Sequence, residues 1–107
     1  MELDQYSIVL VNLDPTIGSE IKKSRPCVIV SPNELNKFLR TIVVAPMTTN
    51  LKNYPTRIKV KHNGKEGMIA IDQIRTIDKS RIIKKFDGLS KSEIQKCKDI
   101  IKETFVD

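Results

Sequence analysis

The stretch Arg57-Ile58-Lys59-Val60-Lys61, followed by His62-Asn63-Gly64 and then Gly67-Met68-Ile69-Ala70-Ile71, decides the fold. Basic and aliphatic residues alternate through the first segment. One face is therefore apolar and the other wet and positive, which is the pattern of a half-buried strand. Asn-Gly tolerates left-handed backbone at both central positions of a tight turn and is a strong hairpin signal. The second, mostly apolar segment returns the chain antiparallel to the first. A lone hairpin is marginal in water, so further strands must cover its apolar face.

Upstream, Thr41-Ile42-Val43-Val44-Ala45 reads as a strand ended by Pro46, after which Met47-Thr48-Thr49-Asn50 turns out of the sheet. Cys27-Val28-Ile29-Val30-Ser31 is another strand, too short and too β-branched for a helix, closed by Pro32-Asn33. Pro26 disfavours helix at Arg25. Ile8 to Leu13 is a first, largely apolar strand, and Asp14, Pro15, Gly18 and Ser19 mark the connection after it as a turn-rich loop. A short helical turn is placed within Asn33 to Leu39.

Downstream, two short strands are expected near Gln73 to Ile77 and Ile82 to Phe86. Only the C-terminus has helical period. Ser90 and Glu93 stand at capping-box spacing, and Ile94, Cys97, Ile101 and Phe105 fall near one face with Ile100 beside them. Many short strands followed by one amphipathic helix give an α+β domain, a small curled sheet or barrel. With 107 residues the chain fits one domain, 1–107, and its 39 % hydrophobic content is enough for a packed core without disulfide or metal.

The two cysteines, Cys27 and Cys97, have no histidine at ligand spacing and read as small buried hydrophobes in a reducing compartment. No run resembles a secretion signal or spans a bilayer, so a cytoplasmic protein without membrane contact is expected. The net charge of +6 favours a polyanionic partner, nucleic acid foremost.

The chain has neither a Gly-rich phosphate loop nor a dinucleotide fingerprint, and its acidic residues are too scattered for a two-metal nuclease. Neither metal nor cofactor is expected. The single histidine, His62, excludes a mechanism with two histidines inside one chain; by position it reads as a solvated turn residue.

Three segments could carry chemistry. Gly18 to Pro26 is a flexible loop bearing Glu20 and the cations Lys22, Lys23 and Arg25. Arg25 lies nearest the buried strand and its planar fork suits a phosphate; the plainer alternative is a solvated basic loop. Ala45-Pro46-Met47-Thr48-Thr49 brings hydroxyls to the sheet rim, though paired threonines also serve as turn formers. Asp72-Gln73-Ile74-Arg75-Thr76-Ile77-Asp78, with Lys79-Ser80-Arg81 behind it, could line a groove or form a charged hairpin.

Taken together these segments resemble the MazF/PemK-like toxins of bacterial toxin–antitoxin pairs. The resemblance runs from Ile8 through Asp14-Pro15-Thr16-Ile17-Gly18-Ser19-Glu20 and Arg25-Pro26-Cys27-Val28-Ile29-Val30-Ser31. It continues through Val44-Ala45-Pro46-Met47-Thr48-Thr49 to Asp72-Gln73-Ile74-Arg75-Thr76-Ile77-Asp78 and Arg81. The resemblance implies an SH3-like, mostly antiparallel β-barrel with a C-terminal α-helix, working as a homodimer. It implies a metal-independent, sequence-specific endoribonuclease that cuts single-stranded RNA, such as mRNA, by attack of the 2′-hydroxyl, leaving a 2′,3′-cyclic phosphate and a 5′-hydroxyl. The family's catalytic pair falls on Arg25 and Thr48. RNA contacts are expected from Ser19, Glu20, Lys22, Lys23, Thr49, Gln73 and Arg75, with Glu20 a conceivable base. The implied partner is a cognate antitoxin with an acidic, disordered C-terminal segment.

The chain departs from the family at Tyr6-Ser7, where many members carry Gly-Asp, and at Ile21, where many carry Gln. Two other functions fit the same fold class: a non-enzymatic toxin similar to the CcdB-type gyrase poisons, and a basic RNA-binding barrel without chemistry. Arg25-Pro26 and Pro46-Met47-Thr48 match the nuclease branch.

Overall fold

The computed structural model describes residues 2–52 and 54–106. Its strands are β1 (Ile8–Asn12), β2 (Ser24–Ile29), β3 (Thr41–Thr48), β4 (Arg57–His62), β5 (Lys65–Ala70), β6 (Arg75–Asp78) and β7 (Ile82–Lys85). A short helix α1 (Asn33–Phe38) joins β2 to β3, and α2 (Lys91–Phe105) closes the chain. Single 3-10 turns, Ile71–Gln73 and Lys79–Arg81, flank β6.

All strand pairs are antiparallel, in the order β4-β5-β3-β2-β1-β7, with β6 branching from β3. The expected barrel is not closed: β4 and β7, the two ends of that order, do not pair with each other. Beside β4 the C-terminal helix takes the place of another strand, and Glu93 Oε2 accepts the Lys61 N–H at 3.4 Å. A helix covering an edge is one of the ways a sheet avoids pairing with another chain.

Alternation along β1 divides the interior in two. Ile8 joins Val28, Met47, Val60 and Ile69 in one cluster, while Val9 and Val11 join Cys27, Ile29, Ile42 and Val44 in the other. Cys97 seals the first cluster from α2. Both cysteines are buried free thiols, as expected, and burial pushes each up to about 12, so neither is poised as a thiolate. Among the described residues no helix is long and apolar enough to cross a membrane.

The hairpin forms as the pattern requires. Asn63 and Gly64 both have positive φ, 52° and 75°, the requirement of a type I′ turn. Ser90 and Glu93 form the expected capping box, a device worth about 1 kcal/mol. The helix face differs at its end: Cys97 is buried and Ile94, Ile100 and Ile101 are half-buried, but Phe105, the last residue of α2, is exposed.

Two strand limits are also corrected. β2 begins at Ser24, so Arg25 and Pro26 lie within the sheet. β3 runs through Pro46 to Thr48. Its outer side pairs with β6 over Thr41 to Val44 and with β5 at Met47 and Thr48. Pro46, with no N–H to give, stands between those two ladders, where its missing donor costs no pairing. The proline that reads as a terminator instead marks where β3 passes from one partner to the other.

Candidate active site

Arg25 is the second residue of β2, opposite Val11 of β1, and Thr48 is the last residue of β3. Since β2 and β3 are neighbours, the two side chains line one cavity of about 250 Å³. Arg25 is half-buried. Its Nε donates to the Lys22 carbonyl at 3.3 Å, and it belongs to neither of the ion pairs found among the described residues. The guanidinium is thus anchored at one nitrogen with charge to spare. Thr48 is half-buried, and its Oγ1 accepts the Asn50 N–H at 3.2 Å, which fixes the hydroxyl oxygen while leaving its proton to donate. Thr49 lines the same cavity but is exposed.

Ser19, Glu20, Gln73 and Arg75 meet in a second cavity of about 370 Å³ that includes Pro46. The end of β3 separates the two spaces, with Pro46 on one and Met47 and Thr48 on the other. Glu20 is therefore not brought into the Arg25–Thr48 cavity. Its Oε1 instead accepts the Ile17 N–H at 2.6 Å within its own loop. Lys22 and Lys23 are exposed beside the sites and line neither cavity.

The loop that reads as flexible is tied down along its length. Leu13 N–H donates to the Lys23 carbonyl at 3.0 Å, and Lys23 N–H donates to Asp14 Oδ1 at 3.0 Å. Gln73 Oε1 accepts the Ile21 N–H at 2.7 Å, and Arg75 Nη1 donates to the Leu13 carbonyl at 3.1 Å. Arg81 Nη1 reaches the carbonyls of Asn12 and Asp14 at 3.2 and 2.6 Å. The polar residues from Gln73 to Arg81 thus hold the β1–β2 loop as well as lining a groove.

The sequence reading missed His62 and Phe86. His62 is not a solvated turn residue: its ring meets Phe86 edge-on, with centroids 4.8 Å apart and planes at 72°. Both rings line the cavity of Arg25 and Thr48, together with Pro26, Met47 and Val60. The signal was available, because the alternation that buries Ile58 and Val60 carries His62 to the same face. The described residues contain no group of three His, Cys, Asp or Glu side chains arranged to hold a metal ion.

The family model for the PemK-like, MazF-like toxin of type II toxin–antitoxin systems matches residues 4–105. The chain belongs to this toxin family. It is 32 % identical over 100 residues to an endoribonuclease MazF of Staphylococcus saprophyticus, covering 88 % of this chain and 83 % of that protein. It is 34 % identical over 93 residues to an endoribonuclease MazF of Staphylococcus epidermidis, covering 81 % and 78 %. Among solved structures, MazF of Deinococcus radiodurans superposes with a TM-score of 0.83 at 22 % identity, covering 94 % of this chain and 93 % of that one. An endoribonuclease in complex with its cognate antitoxin, from a mycobacterial species, gives 0.79 at 18 % identity, covering 94 % and 91 %. The fold is that of these toxins.

The departures of this toxin from the family pattern have structural readings. Tyr6 has φ +69°, in the left-handed region that favours glycine. Its ring packs on the first core cluster, and its N–H donates to the Ile29 carbonyl at 2.6 Å. Ile21 packs against the second cluster, an apolar role.

Proposed function

We propose that this chain is the toxin of a toxin–antitoxin pair, a metal-independent endoribonuclease that cuts single-stranded RNA at short specific sequences. The observation that carries this reading is the shared cavity of Arg25 and Thr48, in which the guanidinium has no carboxylate partner among the described residues. The relatives named endoribonuclease support it.

The chemistry asks the protein for alignment and charge. The 2′-oxygen attacks the adjacent phosphorus as its proton passes to solvent water. The bond from phosphorus to the 5′-oxygen then breaks and that oxygen takes a proton from solvent water. The products are a 2′,3′-cyclic phosphate and a 5′-hydroxyl. Arg25 binds two oxygens of the pentacoordinate phosphorane and Thr48 donates to a third position. Donors set in place before charge develops contribute on the order of several kcal/mol each. Ser19, Glu20, Gln73 and Arg75 of the second cavity and Lys22, Lys23 and Thr49 hold the RNA on either side, in a groove completed by a second copy of the chain. The cognate antitoxin lays an acidic segment over the same cations.

The deciding experiment incubates the purified protein with a long unstructured RNA in EDTA. Cutting at one short motif, with cyclic phosphate ends and none by Arg25→Ala, is the expected result. Binding without cutting would leave an RNA-binding barrel, and indifference to RNA combined with gyrase inhibition would favour the non-enzymatic toxin.

A further inference from the structure

The cavity beside Arg25 and Thr48 is more than a phosphate site. Pro26, Met47, Val60 and Phe86 make much of its wall apolar, and a phosphodiester has no use for such a wall. Within this wall lies a polar atom: Nε2 of His62 is buried and finds no hydrogen-bond partner among the described residues. Leaving a buried polar group unpaired costs free energy, so such an atom in a well-packed site calls for a partner that arrives later.

The ring that carries this atom is held firmly. Phe86 meets it edge-on at 4.8 Å, and the Phe86 N–H donates to the Ile8 carbonyl at 2.7 Å, fastening Phe86 to β1. On the other side of His62, the Lys61 N–H is fixed by Glu93 Oε2. Lys84 Nζ stands 5.3 Å from the centre of the Phe86 ring. A largely apolar pocket that carries the His62 ring in its wall, beside the Arg25 guanidinium, matches an unstacked nucleobase whose phosphate is held at Arg25.

We propose that this cavity is a nucleobase pocket, in which His62 Nε2 hydrogen-bonds the edge of the RNA base next to the scissile phosphate and so sets part of the cleavage sequence. The inference rests on the proposed ribonuclease reading and assigns His62 to specificity, with Phe86 positioning it.

The test maps cleavage sites across a randomised RNA for the wild-type chain, His62→Leu and His62→Gln. Whatever its overall rate, His62→Leu is expected to lose about tenfold of its preference at a single position beside the cut, the scale of one lost hydrogen bond. His62→Gln, which keeps a polar edge, should retain or redirect that preference. A second readout needs no variant. His62 is the only histidine, so its imidazole resonance is unambiguous. A 2′-deoxy oligonucleotide of the preferred sequence lacks the nucleophile and cannot be cut, and its addition to the wild-type protein should shift that resonance. An unchanged site map with an unmoved resonance overturns the pocket while leaving the nuclease reading intact. Lost turnover with preference unchanged overturns the specificity role in favour of a catalytic one. A wild-type chain that cuts no RNA at all overturns the nuclease reading itself, and the pocket with it.

Discussion

Arg57 grips the carboxylate of Asp72 through two parallel hydrogen bonds, Nε to Oδ1 at 2.9 Å and Nη2 to Oδ2 at 3.2 Å. Thr56 adds its hydroxyl to Oδ1 at 2.9 Å, and the Tyr54 ring lies 5.2 Å from the guanidinium. This pair joins the start of β4 to the 3-10 turn that carries Gln73, and Gln73 in turn holds Ile21. A surface contact thereby supports the second cavity.

The hydrogen bond from Arg57 holds the Asp72 carboxyl below its ordinary value near 3.8. A carboxyl whose folded value is depressed stabilises the fold above its unfolded value, and that contribution disappears as pH falls through the folded value. The gap in Tm between wild type and Asp72→Asn should therefore be constant at neutral pH and close below about pH 4. A gap that stays open in acid would show that the pair does not act through charge.

Arg25→Ala should abolish RNA cleavage without changing the fold by circular dichroism, because the side chain is only half-buried and its backbone stays paired with Val11. Arg25→Lys should remain poor, since an ammonium lacks the fork that binds two oxygens. Turnover at wild-type level in Arg25→Ala would sink the assignment.

Thr48→Val preserves shape and removes the hydroxyl. Cleavage should fall about tenfold to a thousandfold, the range for one lost transition-state donor. Thr49→Val should cost less, because Thr49 is exposed at the cavity rim. Single-turnover rates for both variants decide the order.

Gly67 backs directly onto the candidate catalytic threonine. A Cβ there would meet the Thr48 carbonyl oxygen at 3.2 Å, so Gly67→Ala must push the end of β3 by a few tenths of an ångström. Cleavage should fall several-fold more than denaturant stability suggests, since small misplacements in a site are costly to rate. Full activity in Gly67→Ala would mean that the position of Thr48 is not critical.

Lys22→Glu with Lys23→Glu should weaken RNA and an acidic antitoxin peptide together. Both residues are exposed, while the loop closure depends on the backbone of Lys23. RNA binding should be the steeper of the two with added salt, because its charge is denser. A titration in which RNA and peptide bind together without mutual loss would place them on separate surfaces.

Local rules were enough for much of the fold. The alternation from Arg57 to Lys61, the Asn63-Gly64 turn and the Ser90–Glu93 box each formed as their backbone preferences and side-chain reach require. Prolines misled the strand limits, because Pro26 and Pro46 break a strand only where a neighbour needs their N–H. Phe105 kept the helical period but not the burial, since period reports a face and not what packs against each turn of it.

The sequence by itself determined the strands, the hairpin, the capped helix and the basic character, all of which depend on residues close along the chain. Only the tertiary structure decided which side chains share a cavity. Arg25 and Glu20 are near neighbours along the chain yet line different spaces, because β2 has begun by Arg25 while Glu20 is folded back onto Ile17. Arg25, Thr48, His62 and Phe86 come from four separate segments and meet in one cavity. Their meeting depends on the pairing of β2 with β3, of β3 with β5 and of β5 with β4, and on the Phe86 hydrogen bond to Ile8, which are contacts between separate segments of the chain.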